Sequence, residues 1–115
     1  MKTLSLEFDT TDLKLSPESP DKKLPTAAEL SKRVLLLAVN QYSNQCRGLS
    51  KPERVLYYEI DKLLEPIGKD NLNIAEIEFS DEAFGFIRKV FRETRLPADR
   101  AVGLVEKNID AVKMD

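Results

Sequence analysis

The chain has 115 residues, a formal net charge of −2 and no histidine. This length accommodates one domain with a single core, and the weakly acidic balance argues against a surface built throughout for phosphate. Without histidine, the catalytic arrangements that use imidazole and most zinc sites are excluded.

The cysteine content and the first residues bear on the compartment. Cys46 is the single cysteine, so no intramolecular disulfide can form and a reducing compartment is expected. The sequence MKTLSLEFDTTD lacks the long apolar core of a signal peptide. We therefore expect a protein that is cytoplasmic at synthesis.

A short strand is predicted at the start of the chain. Leu4, Leu6 and Phe8 alternate with polar residues, which is the period of a half-buried strand. This pattern covers residues 3–8.

The residues that follow the strand predict an exposed arm. Residues 9–25 are rich in Asp, Thr, Ser and Lys and contain three prolines, a composition that buries little apolar surface and disfavours helix. This arm is either a plain surface loop or a segment that orders on a partner. We therefore divide the chain into a strand with a flexible arm, 1–25, and a single helical domain, 26–115.

The most apolar stretch of the chain predicts its central helix. Thr26 followed by Glu29 fits a capping box, so the helix should cover 27–45, with Gly48 after its end. Apolar residues cover most of its circumference, but it is too short for a membrane span, which needs about 20 apolar residues. The other helices should surround it and bury Leu37 deeply.

A second capping box predicts the next helix. Ser50 and Glu53 place its first residue at Lys51, and Pro66 with Gly68 should end it. Its apolar residues recur at helical spacing: Val55, Leu56, Tyr57, Ile60, Leu63, Leu64 and Ile67.

A second short strand is predicted over 74–79. Ile77 and Phe79 alternate with glutamates, in the same pattern as residues 3–8. The two segments can pair as a two-stranded β ribbon, which needs helices to pack on because an isolated ribbon is marginally stable.

Two more helices complete the predicted fold. Ser80 should cap a helix over 81–95, and Pro97 occupies the expected first position of the last helix. The fold class is therefore mainly α, a four-helix domain around the helix 27–45 with a short ribbon. The expected buried residues of these two helices are Ala83, Phe84, Ile87, Val90, Phe91, Val102, Val105, Ile109 and Val112.

The candidate chemical groups predict neither a catalytic site nor a metal or cofactor site. Cys46, close to the end of an apolar helix, is expected in the core. The loop with Asp70, Asn71 and Asn73 lacks the glycine and the final glutamate of a calcium-binding hand. The paired carboxylates Glu76/Glu78 and Asp81/Glu82 fit a solvent-facing strand and a helix N-terminus.

A cluster of cations is the first candidate interaction surface. Arg88, Arg92 and Arg95 are spaced at i, i+4 and i+7, so they share one face of the predicted helix. This face is either simply solvated or binds an acidic protein or phosphate.

Aromatic residues give the second candidate. Tyr57 and Tyr58 are consecutive, about 100° apart around the helix, so one of them should be partly exposed. Phe86, displaced from the centre of its apolar stripe, is expected to be exposed as well. Exposed aromatics are typical of protein interfaces.

One set of residues carries a resemblance to a known group of proteins: Ile77, Glu78, Ser80, Asp81, Glu82, Phe84, Ile87, Arg88, Lys89, Pro97, Ile109 and Asp110. With this pattern the chain resembles small proteins encoded among the structural genes of tailed bacteriophages and prophages. The similarity covers roughly residues 30–112 and implies an accessory or assembly role, with an association with virions left open.

Two hypotheses for function follow. The first is a non-enzymatic helical protein that binds protein, either itself or a virion component, through the region of Tyr57, Tyr58 and Phe86 or through its flexible arm. The alternative is a small nucleic-acid-binding regulator that uses the basic face of the helix 81–95, because two short helices near Pro97 resemble a helix-turn-helix.

Overall fold

The computed structural model describes residues 1–11, 13, 25–68 and 74–112. It confirms a mainly α fold with four helices and a two-stranded antiparallel ribbon. The elements are β1 (Lys2–Ser5), α1 (Ala27–Gln45), α2 (Lys51–Leu64), β2 (Glu76–Phe79), α3 (Asp81–Glu93) and α4 (Arg100–Asp110).

Three of the four helices begin where their capping residues predict. Thr26 and Ser50 each form a complete capping box, and the Ser80 hydroxyl accepts a hydrogen bond from the backbone N–H of Ala83. These side chains satisfy backbone N–H groups that have no partner within the helix.

The junction between α3 and α4 differs from the prediction. α3 ends at Glu93, two residues early, and α4 begins at Arg100 because Asp99 is its cap. The Asp99 carboxylate accepts a hydrogen bond from the N–H of Ala101 at 2.8 Å, while Pro97 lies in the connection rather than at the first helical position.

The helix α1 is central, as predicted, because it contacts each of the other three helices. Its buried residues centre on Leu35, Ala38 and Tyr42. The prediction that Leu37 is deeply buried was wrong, since Leu37 is only half-buried. Two helical positions correspond to about 200°, so Leu37 points away from the side that Leu35 buries.

The turn after α1 places Cys46 on the surface. α1 ends at Gln45, and Cys46 is exposed rather than in the core. The prediction failed because the residue follows the last helical position instead of extending the apolar stripe.

The ribbon covers one end of the helices. Its register pairs Leu4 with Ile77, and the N–H of Leu6 donates to the carbonyl of Ala75 at 2.8 Å. Leu4, Leu6, Ile77 and Phe79 are buried, while β1 contacts α4 and β2 contacts α3. The ribbon is therefore held by helix packing, as its sequence requires.

The predicted arm is described only in part. Phe8 and Leu13 pack against the core, but residues 12 and 14–24 lie outside the described residues. A flexible arm over 9–25 stays a prediction.

Candidate interaction surface

One side chain from each of three helices forms the main polar cluster. The hydroxyl of Tyr42 on α1 donates to Glu53 Oε2 on α2 at 2.8 Å. Lys89 Nζ on α3 lies 3.7 Å from the same oxygen and 5.8 Å from the centroid of the Tyr42 ring. The cluster therefore joins α1, α2 and α3 at one point.

The ionisation of this cluster favours a structural role. The hydrogen bond to Glu53 raises the pKa of Tyr42, and hydrogen bonds from the Ser50 backbone and from Tyr42 lower the pKa of Glu53. Contact with Tyr42 raises the pKa of Lys89. Each shift moves the pKa away from neutrality, so no group here exchanges a proton near pH 7.

The outward face of α2 carries the most exposed large apolar side chains of any described helix. Val55 is 60% exposed and Tyr58 is 63% exposed, whereas Ile60 and Leu64 on the opposite face are buried. Val55 and Tyr58 are three positions apart, so they are neighbours on the helix surface. We call these two residues the α2 patch.

The tyrosine pair behaves as predicted. Tyr57 packs against the core while Tyr58 faces solvent. Their ring centroids are 5.8 Å apart with planes inclined by 51°, so the half-buried ring supports the exposed one.

Phe86 does not belong to an exposed surface. It is 5% exposed and meets the Tyr42 ring edge-to-face at 5.8 Å. The expectation was wrong because α3 packs against both α1 and α2, which buries a wider arc of the helix than one stripe.

The three predicted arginines do not form one unopposed face. Arg88 is half-buried and lines, with Arg92, a groove between α3 and α4 that also contains Glu106 and Asp110. Arg95 is exposed but lies beyond the end of α3. The carboxylates of α4 therefore balance part of this cluster.

The described residues contain no group of three or more His, Cys, Asp or Glu that could hold a metal ion. Asp70, Asn71 and Asn73 lie outside the described residues. Glu76, Glu78, Asp81 and Glu82 are exposed, as expected. Among the helices of the described segments, none is long and apolar enough to cross a membrane.

Val55 is exposed, although its spacing predicted a place in the apolar stripe of α2. The signal was present, since Lys51, Val55, Tyr58 and Lys62 are spaced at i, i+4, i+7 and i+11. Lysines on either side of two apolar residues on one helical line mark a solvent-facing line.

No family model, no curated protein and no solved structure matches this chain.

Proposed function

We propose that the protein is a non-enzymatic binding module that contacts another protein through the α2 patch. The observation that carries the proposal is the exposure of Val55 and Tyr58 on a helix whose opposite face is buried. Tyrosine is enriched among the residues that dominate protein–protein binding energy, and the Tyr57 ring limits the conformational entropy that Tyr58 loses on binding.

The resemblance to phage-encoded proteins supports an assembly role. In that role the partner is a second copy of this protein or another component of a virus particle. Binding of nucleic acid by the region 81–95 has less support. Arg88 and Arg92 share their groove with Glu106 and Asp110, which would repel phosphate.

The proposal is tested with a Val55→Ser/Tyr58→Ser variant. Light scattering at several concentrations measures self-association, and capture from a native host lysate measures binding of other proteins. We expect the variant to lose the association that the original chain shows. Its melting temperature should fall by no more than about 4 °C, because exposed substitutions change the unfolding free energy by about 0.5 kcal/mol or less.

A matched control is Lys107→Ser on α4, which is also exposed but remote from α2 in the chain. This control should keep the association. A monomer that captures nothing, or an association that survives loss of the α2 patch, would overturn the proposal.

A further inference from the structure

Cations outnumber carboxylates in two segments of the chain. Residues 46–54 contain three cations and one carboxylate, and residues 88–100 contain five cations and two carboxylates. Their combined net charge is +5, whereas the whole chain has −2, so the remaining residues carry −7. A nearly neutral composition thus conceals a strongly polarised charge distribution.

The fold brings the two basic segments to one end of the molecule. Glu53 on α2 pairs with Lys89 on α3, and Gln45 Nε2 donates to the carbonyl of Glu93 at 3.0 Å. The turn between α1 and α2 therefore lies beside the end of α3. We call the exposed cations there the basic end: Arg47, Lys51, Arg54, Arg92 and Arg95.

The carboxylates at this end neutralise it only in part. Arg92 shares a groove with Glu106 and Asp110, and the neighbouring Glu93 is exposed. Glu53 is engaged by Ser50, Tyr42 and Lys89, and Asp99 caps α4. Within the described segments, no ion pair involves Arg47, Lys51, Arg92 or Arg95.

Helix dipoles do not account for the basic end either. α1 and α3 finish here with their negative ends, while α2 and α4 start here with their positive ends, after connections of five and six residues. Each terminus carries about half a unit charge, so the four contributions nearly cancel. The helix termini therefore do not explain the excess of cations, although Arg54 also holds the turn by donating to the carbonyl of Leu49 at 3.0 Å.

The basic end continues into the α2 patch. Lys51, Val55 and Tyr58 occupy positions i, i+4 and i+7 of α2, which form one line on the helix surface. A partner that approaches this side meets cations first and then an exposed aliphatic and an exposed aromatic side chain.

We propose that the basic end and the α2 patch together bind an acidic protein segment that presents an apolar side chain. The inference rests on the proposed function and specifies the chemistry of the partner. The opposite charges would speed association and fix the orientation, and the α2 patch would contribute the desolvated contact.

A nucleic acid fits this surface less well. Duplex DNA carries a charge about every 1.7 Å, and the molecule measures only 41 × 28 × 24 Å. Phosphates beyond the basic end would approach the remainder of the protein, which carries −7. A short acidic segment avoids that repulsion.

The test uses fluorescence anisotropy with a labelled synthetic peptide in which Glu and Asp alternate with Leu and Tyr. A second peptide replaces Leu and Tyr by Ser, and a mixed-sequence DNA duplex is the third probe. We expect the first peptide to bind best, and its affinity to fall about fivefold or more between about 50 and about 200 mM salt.

Charge-reversal variants locate the binding. Lys51→Glu/Arg95→Glu changes one cation from each segment and should weaken binding about tenfold or more. Lys107→Glu reverses an exposed charge on α4 and should change affinity by less than about twofold.

The outcomes separate this inference from the proposed function. Suppose that the charge reversal leaves the affinity unchanged but Val55→Ser/Tyr58→Ser abolishes binding. The role of the basic end is then wrong, while the role of the α2 patch stands. If both peptides bind with equal affinity, the role of the α2 patch is wrong, while the role of the basic end stands. Tighter binding of the duplex than of the first peptide, or binding of none of the probes, overturns the inference.

Discussion

Arg47 adopts a left-handed backbone conformation, with a φ of 60°, at the end of α1. The N–H of Gly48 donates to the carbonyl of Ser43 at 2.7 Å, and the N–H of Arg47 donates to the carbonyl of Asn44 at 3.3 Å. This is a Schellman ending in which the left-handed position, usually glycine, is held by arginine. A residue with a Cβ is strained there.

Arg47→Gly should therefore stabilise the protein. It relieves a left-handed strain of about 1–2 kcal/mol and incurs an entropy cost of about 0.4–1 kcal/mol in the unfolded chain, so we expect a net gain of about 0.5–1 kcal/mol. Urea denaturation measures the difference. Gly48→Ala is the control and should destabilise, because Gly48 has a φ of 117°; a loss of stability in Arg47→Gly would contradict this view of the turn.

The Tyr42 hydroxyl makes the hydrogen bond that ties α1 to the N-terminal turn of α2. Tyr42→Phe leaves the ring packing but removes this bond to a charged acceptor, and should cost about 1.5–3 kcal/mol. Tyr58→Phe, at an exposed site, should cost less than about 0.5 kcal/mol. Thermal melts of the two variants, read side by side, check this, and equal losses would refute it.

The pKa of Glu53 predicts an acid-sensitive contribution to stability. Because folding lowers the pKa of Glu53, the unfolded chain binds a proton at a higher pH than the folded chain. The contribution is therefore complete above the ordinary glutamate pKa of about 4.3 and is lost as pH falls through the lower folded value. In thermal melts from neutral to low pH, Glu53→Gln should therefore lose less stability on acidification than the original chain. An equal loss in both proteins would count against this prediction.

At the scale of the elements, the sequence predicted helix starts better than helix faces. Thr26, Ser50 and Ser80 mark α1, α2 and α3 to the residue, because capping is a local interaction. Which side of a helix is buried depends on its neighbours. Because α1 has three consecutive leucines, its apolar pattern does not show which of them is buried. Phe86 is buried only because α3 packs against helices on two sides.

The packing of α1 gives a paired prediction. Leu35→Ala should cost about 2–5 kcal/mol through lost transfer energy and a residual cavity, since Leu35 is fully buried. Leu37→Ala should cost clearly less, because that side chain is half-buried and its site can be refilled by water. Denaturation midpoints distinguish the two, and a larger loss at Leu37 would mean that a further surface covers α1.

The basic end could not be predicted from the sequence, because contacts between residues far apart in the chain bring its two segments together and no local pattern contains such contacts. The sequence placed cations at 88–100 but gave no reason to join them with Arg47 and Lys51, which only the contacts of Glu53 and Gln45 bring near. The pairing of β1 with β2 was predictable because both segments share one alternation.

The ribbon makes stability depend on the whole chain. Leu6 is fully buried beside a strand that lies far along the sequence. Leu6→Ala should cost about 2–5 kcal/mol and lower the melting temperature of all four helices together, seen by circular dichroism. Glu76→Ala, on the exposed side of β2, should have an effect below about 0.5 kcal/mol; separate melting of the ribbon would contradict a single cooperative unit.

The same pairing has a consequence for biosynthesis. Seventy residues separate Ser5 from Glu76, so a ribosome that adds about 5–20 residues per second takes about 4–14 s to supply the partner strand. During that interval no β2 exists for Leu4 and Leu6 to pack beside. A nascent chain of this protein thus contains an unpaired apolar strand, a segment that chaperones can bind, before α3 and α4 are synthesised.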